Sequence, residues 1–193
     1  HVRCIDIFCS GHAFCSDQNL KEALCFGGDI KEDKIIQKFV MDYYNPLVEA
    51  ITNSRKPVIA LVNGPAVGAG AMLALICDFA LATESAYFSQ AFTNIGLIPD
   101  TAGTHYLPKL LGRQTANYLA FTGKKISATE AKTMGLIADV FPDESFQKEA
   151  MEILAQLSHS ATVAIGLTKK AFNESYNNNL TEQLNLEGIY QQE

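Results

Sequence analysis

The chain has 193 residues, 48% of them hydrophobic, enough for one large domain, or one domain plus a small appendage, with a sizeable core. That composition excludes a disordered polymer. A net charge of -6 with no run of Lys and Arg excludes a phosphate-tracking stripe, so nucleic acid is not an expected partner.

In chain order, residues 2–8 form a short apolar run that reads as a buried strand, and it is followed by the polar segment 10–20. Residues 24–34, with Gly27-Gly28, read as a mobile loop. Across 31–54 the residues Ile35, Ile36, Phe39, Val40, Tyr43, Leu47 and Ile51 recur near helical spacing, with Pro46 as the expected kink. Residues 56–62 are a second strand, ending at Asn63-Gly64. The stretch 67–76 is rich in small residues and then apolar all round, as suits a helix buried at the centre of a fold. Further strands are expected at 79–82 and 86–89. Helices follow over 101–111, 114–121, 128–134, 145–159, 163–176 and 180–192, interrupted by a strand at 136–141. The most apolar window, 58–82, is broken by Asn63, Gly64, Pro65 and Asp78, so neither a signal peptide nor a membrane span is expected. Cys4, Cys9, Cys15, Cys25 and Cys77 form no CxxC pair and lie in apolar or strand-like surroundings. They are read as reduced thiols, and the protein as cytoplasmic.

The strand ending at Val62, the turn from Asn63 to Gly70 and the apolar helix after it aim backbone N–H groups at the space beyond the strand. Three readings of this turn stay open. It is an oxyanion hole for a thioester oxygen becoming an enolate, a dinucleotide loop, or a set of glycines that merely permits close helix–sheet packing. Gly68-x-Gly70 lacks a third glycine at Leu73 and no Gly-Lys-Ser/Thr follows, which weakens the dinucleotide reading.

A second segment shifts the balance. Ala13-Phe14-Cys15-Ser16-Asp17-Gln18-Asn19-Leu20 follows the first strand much as the glycine turn follows a later one. Together with residues 56–70, it resembles the crotonase, or enoyl-CoA hydratase/isomerase, family. Further matches in the family's order are Cys77-Asp78, Phe88, Asn94-Ile95-Gly96-Leu97-Ile98-Pro99-Asp100, Leu107-Pro108, Gly112, Thr122-Gly123, Ala128, Glu130-Ala131 and Gly135-Leu136. The resemblance implies an α/β crotonase fold (ClpP/crotonase-like) of stacked ββα turns over residues 1–140, followed by a helical region over 141–193. The family's opening strands and last helices have no counterpart, so a partial chain is expected. The resemblance also implies an acyl-CoA substrate, no cofactor beyond that coenzyme A, and a homotrimer or hexamer.

Carried over by position, the oxyanion donors are the backbone N–H groups of Gln18 and Ala69. Asp17 stands where the family usually has Gly, Asn19 where it has Asp, and Ala69 where it has Gly. The backbone role tolerates Ala69 if φ stays negative. Coenzyme A contacts are expected from Phe14, Cys15 and Ser16, with a core aromatic as the other reading of Phe14, and substrate contacts from Gly68, Met72 and Phe92.

Family hydratases hold the attacking water between two glutamates. The matching positions here are Met72 and Phe92, neither of which can move a proton. The remaining nearby carboxylate is Asp100, where some isomerases of the family carry their single acid/base. Asp100 also stands where an N-cap would stand, directly before Thr101-Ala102-Gly103-Thr104. The resemblance therefore points to an isomerase, akin to the ring-epoxide (oxepin-CoA-forming) isomerase of phenylacetate breakdown and its enoyl-CoA isomerase relatives. A non-polar pocket lined by Met72 and Phe92 would raise the pKa of Asp100 toward a value useful for proton transfer by desolvation. An enoyl-CoA hydratase and a catalytically silent acyl-CoA-binding homologue are the alternatives.

The remaining signals are weaker. His105 and His159 have no carboxylate or cysteine at metal-ligand spacing. Ser10 and Cys15 lack a His partner for nucleophilic work. Tyr106 and Tyr118 read as core or interface. Lys124-Lys125 and Lys169-Lys170 read as solvated helix faces rather than phosphate contacts.

Overall fold

The computed structural model describes residues 2–16 and 34–193. The expected loop 24–34, apart from Lys34, and Cys25 lie outside the described residues.

Among the described residues the strands form two sheets. The larger holds β1 (Ile5–Phe8), β2 (Val58–Val62), β4 (Phe79–Thr83) and β7 (Asp139–Phe141) in the order β1-β2-β4-β7, every pair parallel. The smaller holds β3 (Ala66–Val67), β5 (Tyr87–Ser89) and β6 (Ile126–Ser127), with β3 parallel and β6 antiparallel to β5.

The run Val58-Ile59-Ala60-Leu61-Val62 is apolar without alternation because both faces of β2 are covered. Val58, Ala60 and Val62 enter one core with Ala80 and Ala82 of β4. Ile59, Leu61 and Leu81 enter a second core. The first core is filled by helix α3 (Ala69–Leu75), whose Ala69, Gly70, Ala71, Met72, Ala74 and Leu75 are all buried. The second is closed by α6 (Phe146–His159) through Phe146, Ala150 and Leu154. The period-2 alternation of β2 thus divides its side chains between the two cores, and the glycine turn follows directly from its end.

The helical expectation for 31–54 becomes three pieces: α1 (Ile35–Phe39), a π-helical turn (Val40–Tyr44) and α2 (Asn45–Thr52). Pro46 falls in the first turn of α2, directly after the widened π-helical turn, so the irregularity expected at the proline takes the form of a wider turn on its N-terminal side. The two helices expected over 101–121 join as α4 (Gly103–Thr122), broken at Gly112, whose φ of 71° and ψ of 160° are not helical. The strand expected at 136–141 shrinks to β7. Leu136 and Ile137 are apolar because they are buried in the first core, while the Leu136 N–H bonds Ala131 C=O across a turn rather than along a strand. Two two-residue strands, β3 and β6, and a 3-10 turn (Ala91–Ile95) were not expected, being too short to show periodicity.

The remaining helices are α5 (Ala128–Thr133), α7 (Thr162–Ser175) and α8 (Leu180–Tyr190). Both α5 and α8 open on capping boxes, Ser127 with Glu130 and Asn179 with Glu182. Asn179→Ala is expected to cost about 1 kcal/mol, read as a lower thermal midpoint.

At the end of β2 away from the glycine turn, Asp78 Oδ2 accepts the Val58 N–H at 2.7 Å and Lys169 Nζ at 3.0 Å. Lys169 also donates to Ile51 C=O at 2.7 Å, and Asn173 Nδ2 to Thr52 C=O at 3.1 Å, so α7 is held against the end of α2. Lys169 is therefore not on a solvated face. Its side chain is 8% exposed and its ammonium is paired, whereas the neighbouring Lys170 is 60% exposed beside Glu174. Periodicity alone could not separate two adjacent lysines of one helix. Burial, with Asp78 adding to it, pushes the neighbouring Cys77 thiol up to about 12.

Candidate active site

The two segments singled out in the sequence lie against each other. Phe14 and Cys15 both donate their N–H to Pro65 C=O, at 3.0 and 3.2 Å, and Val67 N–H donates to Cys15 C=O at 2.9 Å. Cys15 forms a parallel bridge with Ala66. Their approach needs glycine at two points. A Cβ on Gly64 would overlap the His12 carbonyl oxygen, and one on Gly70 would overlap the Cys15 carbonyl oxygen and sit 2.6 Å from its carbon. Asn63 ties the segments from the side, its Nδ2 donating to Cys9 C=O at 3.0 Å and Gly11 C=O at 2.9 Å. Gln18, Asp17 and Asn19 lie outside the described residues.

Within the glycine turn Gly68 stands directly before the helix, with φ 56° and ψ -128°, a combination closed to residues with a side chain. Its N–H bonds Ser89 C=O at 2.9 Å, which fastens the turn to β5. Ala69 is then the first residue of α3 and does not have a positive φ, which is the condition that an alanine at this position has to meet. The first α3 bond in the i→i-4 register is Met72 N–H to Gly68 C=O at 3.1 Å, so the Ala69 N–H belongs to the first turn and is not part of the helix's own i→i-4 ladder.

One turn along α3, the fully buried Met72 packs against the turn that carries Asp100. A Cβ on Gly103 would lie 2.8 Å from Pro99 Cβ and 3.3 Å from Met72 Cγ, so Gly103 lets α4 start directly against both. Phe92, 2% exposed, lies in the same core, and its C=O accepts the Leu97 N–H at 3.0 Å to close the 3-10 turn.

Asp100 is not the N-cap of α4. That position is Ala102, which makes no side-chain cap bond. The Asp100 C=O accepts the Gly103 N–H at 2.7 Å, and its carboxylate accepts the Thr101 hydroxyl at 2.9 Å. The following residues, Thr101 and Ala102, are both left-handed, with φ of 48° and 62°. Each such non-glycine residue costs ~1 kcal/mol or more and persists where its surroundings over-determine it. No sequence signal announced them, since Thr and Ala are not the residue types that favour this conformation.

The partly buried Asp100 therefore sits on a strained turn that is packed, through Gly103 and Met72, onto the helix opened by Ala69. Gln90, which follows β5, is buried with its Oε1 unpartnered among the described residues, and sequence reading did not single it out. Phe14 is 3% exposed in the first core, so its side chain is structural.

Other titratable groups are placed elsewhere. His105 is exposed beside Lys109, at 2.8 Å from Nε2, and His159 is exposed with Nδ1 2.7 Å from Ala155 C=O. Tyr106 is half-buried and Tyr118 is exposed. Lys124 pairs loosely with Glu130, and Lys125 stands over the Tyr87 ring. Among the described residues no group of three or more His, Cys, Asp or Glu could hold a metal ion, and no helix is long and apolar enough to cross a membrane.

Residues 2–193 match the family model described as Enoyl-CoA hydratase/isomerase. The chain is 41% identical over 192 residues to a Rhodobacter capsulatus protein named probable enoyl-CoA hydratase, covering 100% of this chain and 72% of that one. It is 40% identical over 190 residues to 1,2-epoxyphenylacetyl-CoA isomerase of Escherichia coli, covering 98% and 72%. Among solved structures, an enoyl-CoA hydratase from Polaromonas sp. JS666 matches with a TM-score of 0.90 at 32% identity, over 98% of this chain and 72% of that one. One from Bacillus anthracis matches with a TM-score of 0.90 at 33% identity, over 98% and 72%. The sequence motifs, the packing of their two segments and these likenesses together make the chain a member of the enoyl-CoA hydratase/isomerase (crotonase) family, with that family's fold.

Proposed function

We propose that the protein is an acyl-CoA isomerase that moves a proton rather than adding water. The observation that carries this is the pair Met72 and Phe92, both buried and neither able to exchange a proton, at the positions matching the family's water-holding glutamates. In this reading the Ala69 and Gln18 N–H groups stabilise the thioester oxygen as it becomes an enolate oxygen. The Asp100 carboxylate takes a proton from one carbon of the acyl group and returns it to another, shifting a double bond or rearranging a ring epoxide. The substrate lies over Gly68, beside Met72 and Phe92. Coenzyme A contacts fall to the Phe14 carbonyl and to Ser16, because the N–H groups of Phe14 and Cys15 are engaged with Pro65.

No cofactor beyond the substrate's coenzyme A enters this reading. Exposed Leu180 and Leu184 on α8 support self-association as a homotrimer or hexamer, and the free thiols Cys4, Cys9, Cys15 and Cys77 support a cytoplasmic setting. Hydration is the second reading, favoured by the name of the Rhodobacter relative. A silent acyl-CoA-binding homologue is the third.

Incubation with 2- and 3-enoyl-CoA thioesters and an aryl-epoxide thioester in ¹⁸O-labelled water separates them. The expected products are isomers of unchanged mass that carry no label. A labelled 3-hydroxyacyl-CoA as main product would overturn the isomerase reading, and the absence of any turnover would leave the silent homologue.

A further inference from the structure

We infer that Asn63 is a positioning residue that sets the spacing between the two oxyanion-donor segments; this rests on the oxyanion-hole reading above. Asn63 is the first residue after β2 and the first of the glycine turn. Its side chain reaches across the sheet edge rather than along its own loop. Nδ2 donates to Cys9 C=O at 3.0 Å and to Gly11 C=O at 2.9 Å, the carbonyls that lead from β1 into the segment carrying Phe14 to Ser16. Two carbonyl acceptors require the NH₂ end of the amide on that side, so the amide orientation follows from chemistry. The opposite atom, Oδ1, is buried and has no partner among the described residues.

Backbone contacts join the segments further on, at Pro65–Val67, but none of those fixes residues 9–11. Gly11 itself has a φ of 90°, a conformation that favours glycine, and the Asn63 amide bonds its carbonyl. A single side chain rooted at the start of one segment thereby ties down the entry to the other, at residues 9–11. Misplacement of a catalytic group by about 1 Å costs on the order of a hundredfold in rate, so such a clamp acts on turnover more than on ligand affinity.

Asn63→Asp is the informative change, because it keeps shape and removes the donor. An ionised carboxylate would face two carbonyl oxygens, and a protonated one restores at most one of the two bonds. Asn63→Ala provides a second variant without buried charge. With a conjugated arylacryloyl-CoA as probe, polarisation of the thioester carbonyl by the donors shifts the bound chromophore to longer wavelength. Wild type is expected to show this red shift. Both variants are expected to bind the probe within about threefold of wild type, to lose most of the shift, and to drop kcat at least about tenfold with KM little changed.

Amide exchange over residues 9–16 is expected to speed up in both variants. Unchanged exchange there, or an intact red shift and kcat in either folded variant, overturns the proposal. A wild type that binds the probe without any red shift overturns the oxyanion-hole reading, and the positioning proposal falls with it. In that case faster exchange in the variants marks only a structural tie.

Discussion

Asp100→Asn is expected to lower turnover of an enoyl-CoA substrate by roughly two or more orders of magnitude while leaving thioester binding within a few-fold. The substitution removes the ability to exchange a proton while keeping the shape of the side chain. The amide Oδ1 can still accept the Thr101 hydroxyl, as the carboxylate does at 2.9 Å, and the Asp100 C=O still accepts the Gly103 N–H. The thermal midpoint should therefore stay close to that of wild type, which separates a lost acid/base from a lost fold. Turnover within about threefold of wild type, in a variant that folds normally, would remove Asp100 from the mechanism. The strained pair after it gives the expectation its structural weight: Thr101 and Ala102 hold left-handed backbone without being glycine, and such strain is kept where a side chain must be held in one direction.

Gly70→Ala is expected to damage stability and turnover together. The added Cβ would overlap the Cys15 carbonyl oxygen and lie 2.6 Å from both its carbonyl carbon and its Cβ, so backbone rather than a flexible side-chain tip has to move. Overpacking of that kind costs about 3 kcal/mol, a fall of roughly 6–12 °C in thermal midpoint for a chain of this size. Because Gly70 directly follows Ala69, and Cys15 belongs to the other segment, relief of the clash displaces one or the other of the proposed donors. The expected loss in kcat is about tenfold to a hundredfold. Circular dichroism on heating checks the first half and steady-state kinetics the second. A variant that matches wild type in both would show that the two segments do not meet as closely as Gly70 and Cys15 imply.

Much of the fold was legible because its elements are long and strongly patterned. The uninterrupted apolar run of β2 announced a strand covered on both faces, and the small, all-apolar α3 announced a buried helix. The break between the helices of α4 was legible at Gly112. What escaped was short or set by tertiary contact. Strands of two residues carry no period, and Leu136 and Ile137 are apolar for burial rather than pairing. Lys169 was indistinguishable from Lys170 until Asp78 and the end of α2 came up against it.

For the site the division is similar. By itself the sequence determined the family, the glycine turn with Ala69 at its end, and the absence of carboxylates at Met72 and Phe92, because these depend only on residue type at matched positions. Only the tertiary structure decided that Phe14 to Cys15 lies against Pro65 to Val67, that Asn63 spans to Cys9 and Gly11, and that Asp100 stands on a strained turn instead of capping a helix. Those are distances between segments about fifty residues apart and backbone angles at ordinary residues, and local propensity encodes neither.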